Sequence, residues 1–332
     1  MAYQNVGTPR FYINILEWLA ATGHKALPVD VVYNYILAES KGLLTLPVEP
    51  QPSYSWQFGE DGIQGMTDNG FVALLGHNMS YLPSSLKLFN TSQINIPFNK
   101  AIVNCELYNG GIKPTHSGFS IAEFPGTVYI RNFWLENDTS DWIGSLILGS
   151  YYDMPHSPDL KLTMTREMDG VKRVRTKGGS DLVAHKYIKP EMWGEAGAWE
   201  LYLGIPGDEQ KLSRSGRRTW GLSFSQLGGD DVFGSNQSLS QARFDQTDGI
   251  DESDTGLPVT SNYKYNVLTD DNFYSQVIHK TNGGQLPFIF QPDSSNNNPD
   301  GFAICKFDMN TFKFNQVANG VYNIKVKIRE VW

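Results

Sequence analysis

Apolar and polar positions alternate with period two along much of this chain, and the richest stretch is Gly126–Met154. It holds two strand-like runs, Thr127–Leu135 and Trp142–Tyr152, joined by the polar residues 136–141. In the first run Val128, Ile130 and Trp134 share one side with a lapse at Asn132, while Tyr129, Phe133 and Leu135 occupy the other. Apolar residues on both sides mark strands covered on both faces. The pattern predicts a hairpin over these runs at the centre of a β-sandwich, with Trp134 and Ile147 in its core.

Shorter strands are expected at Trp56–Phe58, Phe71–Gly76, Leu86–Phe89 and Ile102–Leu107. Beyond them, Leu160–Thr176 reads as a hairpin around Asp169–Gly170, a dipeptide suited to a type I′ turn. Trp220, Leu222 and Phe224 alternate with small and polar residues, and LPFIF (Leu286–Phe290) and FAICKF (Phe302–Phe307) follow. Tyr322, Ile324, Val326 and Ile328 alternate with Asn323, Lys325, Lys327 and Arg329, the signature of a strand with one face on a core and one in water. Trp220 and Phe224 are expected in the core of this later part.

Helical spacing appears in three places. Over Phe11–Thr22 it puts Phe11, Ile15, Trp18 and Leu19 on one stripe, with Thr8 to cap, Pro9 in the first turn and Gly23 to stop. A second helix is predicted at Val29–Glu39, before the Pro-rich connection Leu43–Ser55. A third spans Asp270–Asn282, with Asp270 or Asp271 as cap, Phe273, Tyr274, Val277 and Ile278 on its stripe and Gly283 as stop. Gly178–Ser213 reads as a long packed loop carrying Trp193 and Trp199. The expected class is mainly β, in three parts: an arm with helices over 1–50, an antiparallel β-sandwich over 51–156, and a second β-rich part with one helix over 157–332.

Composition agrees with that class. Among 332 residues, 32 Gly and 17 Pro favour turns over long helices, and an apolar share of 40% can bury a core. A net charge of −8 argues against a general nucleic-acid binder. The opening MAYQNVGTPRF lacks a basic run followed by an apolar one, so no signal peptide is read. No apolar stretch approaches the ~18 residues of a membrane span. A soluble protein without membrane insertion, made in a cytoplasm, is the expectation. Cys105 and Cys305 read as two buried thiols, and their pairing is left open.

Charge is unevenly spread. Residues 161–177 carry six basic and two acidic side chains, a net of +4, whereas 228–256 carry seven acidic and one basic, a net of −6. The acidic stretch reads as an exposed loop. The basic hairpin, with Arg173 and Arg175, is suited to meet the acidic loop of a neighbouring copy in an oligomer. The stripe Phe11, Ile15, Trp18 and Leu19 is too apolar to face water, and docking into another subunit is expected over packing on its own domain. These six residues are the candidate assembly interface.

No catalytic, cofactor or metal site is expected. His77 follows a strand and reads as a turn-holding histidine. His156–Ser157 beside Asp153 and Asp159 lacks the G-x-S-x-G elbow of a triad enzyme. Neither His-x-x-x-His nor Cys-x-x-Cys occurs. Asp293–Asp300 offers oxygen ligands for calcium but reads first as a polar turn, and Gly178–Gly179 and Gly228–Gly229 read as turns.

Several of these stretches, taken in order, resemble one family. FVALLGHNM and DWIGSLILGSYYDMP resemble the discoidin-like (galactose-binding-like) β-sandwich of tail-associated proteins of tailed bacteriophages. GRRTWGLSFSQL, FYSQVIHKTNGG and LPFIFQPD resemble the second part of such proteins. YQNVGTPRFYI and YNIKVKIREVW look like recurrent ends of virion proteins from uncultured marine phages. The resemblance covers residues 50–332 and implies a discoidin-like sandwich in a virion structural component, of the tail or the tip and baseplate, with a head–tail collar or capsid decoration as other positions. It implies other virion proteins and copies of the same chain as partners, and host attachment through a surface glycan as the alternative role. The chain lacks the loop aromatics with a paired Arg and acid that sugar-binding relatives carry.

Overall fold

The structure is a computed structural model, described for residues 6–22, 44–45, 54–57, 63–64, 69–75, 86–89, 93–96, 103–104, 112–113, 120–125, 129–130, 132–135, 142–143, 145–167, 172–184, 200–203, 211–214, 216–233, 270–297 and 301–331. The protein is mainly β, with a large antiparallel sheet and short helices, as expected. Eleven strands build that sheet: β1 (Arg10–Asn14), β2 (Asn69–Leu75), β3 (Val103–Asn104), β4 (Ser120–Pro125), β5 (Ser145–Asp153), β6 (Thr163–Glu167), β7 (Arg217–Gly228), β8 (Phe288–Gln291), β9 (Ala303–Phe307), β10 (Phe314–Ala318) and β11 (Val321–Glu330). Their order is β6-β7-β11-β9-β8-β1-β5-β2-β4-β3, with β10 also paired to β11. β1 comes from the segment 1–50, β5 from 51–156 and β8 from 157–332, so one sheet runs through all three expected parts.

The sequence reading of residues 11–22 as one helix is corrected here. Arg10–Asn14 is a strand, and only Ile15–Ala21 (α1) is helical. Apolar side chains at Phe11 and Ile13 on one face and Tyr12 on the other satisfy a strand buried on both sides. The helix starts four residues later than expected because Asn14, not Thr8, caps it. The Asn14 Oδ1 accepts the Glu17 N–H at 3.3 Å, and its Nδ2 donates to the Glu17 carboxylate at 3.2 Å. At the other end the Thr22 hydroxyl donates to the Trp18 carbonyl at 2.8 Å.

Two expected hairpins are also corrected. Asn132–Leu135 pairs with Tyr54–Gln57 and Leu86–Phe89 in a separate four-stranded sheet, whereas β5 pairs with β1 and β2. Among the described residues the two runs therefore do not pair with each other; each pairs with strands distant in sequence. Likewise β6 pairs with β7, and Lys172–Arg175 pairs with Asp181–Ala184, so Leu160–Thr176 is not one hairpin about Asp169–Gly170. The turn that does form lies at 176–180, where the Thr176 N–H donates to the Ser180 carbonyl at 2.8 Å and Gly179 takes φ +86°. The expected packed loop 178–213 contains three strands, Asp181–Ala184, Glu200–Leu203 and Lys211–Arg214. Val29–Glu39, His77, Cys105, Trp193, Trp199, the Trp134 side chain and residues 234–256 lie outside the described part.

The alternating strands stand as read. Trp220, Leu222 and Phe224 of β7 and Tyr322, Ile324, Val326 and Ile328 of β11 are buried. With Phe11, Ile13, Phe288, Phe290, Cys305 and Phe307 they form one core on one face of the sheet. On the other face Tyr12, Phe71, Ile121, Ile147, Ile289 and Ile304 form a second core. Gly149 lets β1 approach β5 closely, since a Cβ there would sit 1.9 Å from the Ile13 carbonyl oxygen. The expected third helix is a π-helical stretch, Tyr274–His279, which lays Phe273, Val277 and Ile278 on the first core. Asn272 rather than Asp270 or Asp271 caps it, its Oδ1 accepting the Ser275 N–H at 2.9 Å. Asn282, Gly283 and Gly284, all with positive φ, end the turn where Gly283 was expected to.

Candidate functional site

The six residues singled out for assembly separate into two groups. Phe11, Ile15, Trp18 and Leu19 are buried, Phe11 completely, and belong to the protein's own interior. The Phe11 ring meets Phe290, Phe288, Phe273 and Phe307 at centroid distances of 5.2, 5.6, 5.7 and 6.0 Å. Trp18 stands edge-on to His279 at 5.6 Å. The expectation that this stripe docks into another subunit is therefore corrected: it packs on its own chain, because β1 is the strand that joins β8 to β5.

Arg173 and Arg175 are exposed, on a hairpin whose own strand Asp181–Ala184 supplies Asp181 as the ion-pair partner of Arg173. Several large apolar side chains are exposed in this part of the chain. Val174, Leu182 and Val183 on the hairpin are exposed, and so are Leu160, Leu162 and Met164 on and just before β6. Among the described residues β6 ends the large sheet, pairing with β7 alone. Met164 sits opposite Trp220 in register, yet it is 57% exposed while Trp220 is buried. Sequence reading took L-K-L-T-M as part of one arm of a hairpin, and its alternation holds no sign that the apolar half lacks a cover.

The polar residues weighed for chemistry in the sequence have structural partners. Asp153 holds Arg10, whose Nε and Nη2 donate to its two oxygens at 2.6 and 2.7 Å. Asp159 accepts the hydroxyls of Ser223 and Ser225 at 2.8 and 2.9 Å. His156 Nδ1 lies 2.8 Å from the Ser157 carbonyl oxygen, and the Ser157 hydroxyl donates to the Val6 carbonyl at 2.8 Å. Neither acid orients the histidine, so no triad is assembled. Asp293 turns its carboxylate onto Ser295, accepting its N–H at 3.0 Å and hydroxyl at 2.6 Å. Among the described residues no cluster suited to a metal ion occurs. Gly228–Gly229 is not a plain turn but the junction of β7 with a four-residue helix, Gly229–Val232. There the Asp231 carboxylate takes the Gly228 N–H at 2.9 Å, which disfavours an anion.

Two ionic networks escaped the sequence reading altogether. Besides Asp153, Arg10 pairs with Glu123 on β4, three strands away in the sheet. A flat sheet would hold strands that far apart by ~14 Å across, so the pair requires the sheet to curl. The Tyr12 hydroxyl donates to Glu123 at 2.8 Å and lies 3.0 Å from the Gln291 Oε1, while the Arg10 guanidinium stacks 4.2 Å from the Tyr151 ring centre. Burial and the Glu123 charge push the Tyr12 pKa up. Burial works against the Arg10 charge, but Asp153, Tyr12 and Glu123 outweigh it and the Arg10 pKa rises. In the second network Arg218 Nη2 donates to the buried Glu330 at 3.0 Å and to the Phe302 carbonyl at 2.9 Å. The second arginine of GRRTW and the acid of IREVW thus have a structural use in tying β7 to β11.

Lys280 is buried as well, its ammonium donating to the Gln276 Oε1 at 2.6 Å. Burial brings its pKa down to about 7, opposed by the charge of Asp271. Burial and the neighbouring Lys280 also lower the pKa of His279. No family model, curated protein or solved structure matches this chain.

Proposed function

We propose that this chain is a structural component of a tailed-phage virion, of the tail or its tip, that works by assembling with copies of itself and with other virion proteins. The order of the motifs from FVALLGHNM to LPFIFQPD motivates this reading. The single observation that supports it best is the exposed apolar strip of Leu160, Leu162 and Met164 at the β6 end of the large sheet, with Val174, Leu182 and Val183 also exposed on the separate hairpin that follows in the chain. Solvent-facing apolar groups at this density mark association surfaces. Arg166 follows Met164 on β6, and Arg173 and Arg175 stand on the exposed hairpin; these charges complement the net −6 of residues 228–256 on a neighbouring copy. A curled antiparallel sheet with a core on each face is compatible with a discoidin-like arrangement, and we take that as the finer fold.

Sedimentation velocity of the purified chain tests the reading. At low salt it should form closed oligomers that loosen near about 0.5 M salt, where the Debye length falls to roughly 4 Å. The double substitution Leu162→Asp and Met164→Asp, or Arg173→Glu with Arg175→Glu, should leave a folded monomer. A strictly monomeric wild-type chain at its highest soluble concentration, or oligomers indifferent to both double variants, overturns it.

A further inference from the structure

The face of the sheet opposite Trp220 and Leu222 carries cross-strand rows from β6 through β7 to β11. They read Thr165–Thr219–Arg329, Thr163–Gly221–Lys327 and, beyond them, Ser223–Lys325. Gly221 lacks a side chain in the middle row, and the surface sinks there into a trough of about 630 Å³. Lys161, Lys325 and Lys327 line it together with Thr163, Thr165 and Thr219, and Asp308 and Met309 complete the wall. Lys327 donates to Asp308 at 2.5 Å, while Lys161 and Lys325 meet no carboxylate among the described residues. The lining therefore carries three ammonium groups against one acid, in a chain whose net charge is −8.

Thr219 adds an independent sign. It is 4% exposed, and its hydroxyl oxygen is buried with no hydrogen-bond partner. An unpaired buried hydroxyl costs ~1–3 kcal/mol, and such groups in folded proteins call for a partner. We propose that the trough binds a small polyanion bearing sulfate or phosphate monoester groups. Ammonium and hydroxyl donors set around one depression suit a tetrahedral oxyanion, whose several oxygens accept from different directions at once. The volume falls within the ~300–1,000 Å³ of small-molecule sites, which exceeds what one free ion fills and points to a body carrying several such groups. This site stands apart from the assembly strip and does not depend on it, since Leu162 and Met164 project from the other face of β6.

Isothermal titration calorimetry on the full chain tests it with inositol hexakisphosphate, sucrose octasulfate, inorganic phosphate, inorganic sulfate and an oligoglutamate peptide. The two polyanionic esters should bind, with the inorganic ions weaker and competing for the same site. Lys161→Glu with Lys325→Glu should weaken binding at least about tenfold. Gly221→Val should do the same by filling the floor; its Cβ would meet the Thr163 Cβ at an ordinary 3.7 Å, so the strand tolerates it. Thr219→Val should weaken binding while raising the melting temperature of the ligand-free chain. Circular dichroism confirms that each variant is folded. The proposal is overturned if neither ester binds, if oligoglutamate binds as well as the esters, if an inorganic ion alone binds as tightly, or if folded Gly221→Val and the double lysine variant bind like the wild type.

Discussion

Phe11→Ala is the substitution that most directly tests the position of β1. The ring is fully buried and surrounded by Phe273, Phe288, Phe290 and Phe307, with centroid separations of 5.2–6.0 Å. Removing it takes ~100–150 Å² of apolar surface out of the core, which at ~25 cal/mol per Å² accounts for about 3 kcal/mol. The cavity left behind is walled by rings on β8 and β9 that the sheet holds in place, so little collapse is available. The cavity term then brings the loss to ~4–5 kcal/mol, the upper part of the range for Phe→Ala in cores. Phe11→Leu keeps much of the volume and should cost about 1–1.5 kcal/mol. Urea denaturation followed by tryptophan fluorescence reads both, as a fall in the midpoint at an unchanged slope. A loss below ~1 kcal/mol for Phe11→Ala, the range of surface changes, would refute the placement of residues 10–14 at the centre of the sheet.

Arg10→Met should destabilise by about 2–3 kcal/mol, less than the ~3–5 of a fully buried pair because Asp153 is partly exposed; a neutral result in the same denaturation assay would mean that the Arg10–Glu123–Asp153 network does not bind β1 to β4 and β5. Lys280 predicts a pH dependence. With its folded pKa lowered to about 7 from the ordinary 10.5, the lysine is charged in both states below pH 7, and the burial cost is then fully present. Between those two values the unfolded chain holds a proton that the folded chain has released, so stability rises with pH across the window. Denaturation midpoints should climb from pH 7 towards about pH 9 in the wild type and stay nearly level in Lys280→Met; parallel profiles for the two chains would show that Lys280 titrates normally.

Strands with one wet face were legible in the sequence. β11 alternates so cleanly, Tyr322 to Ile328 against Asn323 to Arg329, that its buried face follows from period two alone. Residues 11–19 are buried without a break, and the two polar residues among them, Asn14 and Glu17, are buried too, so exposure does not tell period two from period 3.6 and the strand-to-helix switch at Asn14 stayed hidden. Pairing failed where local cues competed with distant ones. Asp169–Gly170 has the chemistry of a tight turn, yet β6 gains more by closing on β7, whose inner face carries Trp220 and Leu222. Of the candidate surface, Arg173 and Arg175 were readable as exposed because they are charged. The exposed Leu162 and Met164 were not, since exposure depends on what fails to cover them. The Arg10 network joins residues 113 and 143 positions apart, a relation no motif encodes.

The place of β1 in the sheet sets an order of events during synthesis. Both of its neighbours come later, at Ser145–Asp153 and Phe288–Gln291, so Phe11, Tyr12 and Ile13 leave the ribosome long before β8 exists. At ~5–20 residues per second, the interval is roughly 15–60 s. Throughout that time a strand with apolar groups on both faces has at most one of its two edges closed. The nascent chain is therefore a substrate for holding chaperones until its last third is made. Slowing translation between β5 and β8 should raise the aggregated fraction without changing the stability of molecules that do finish folding.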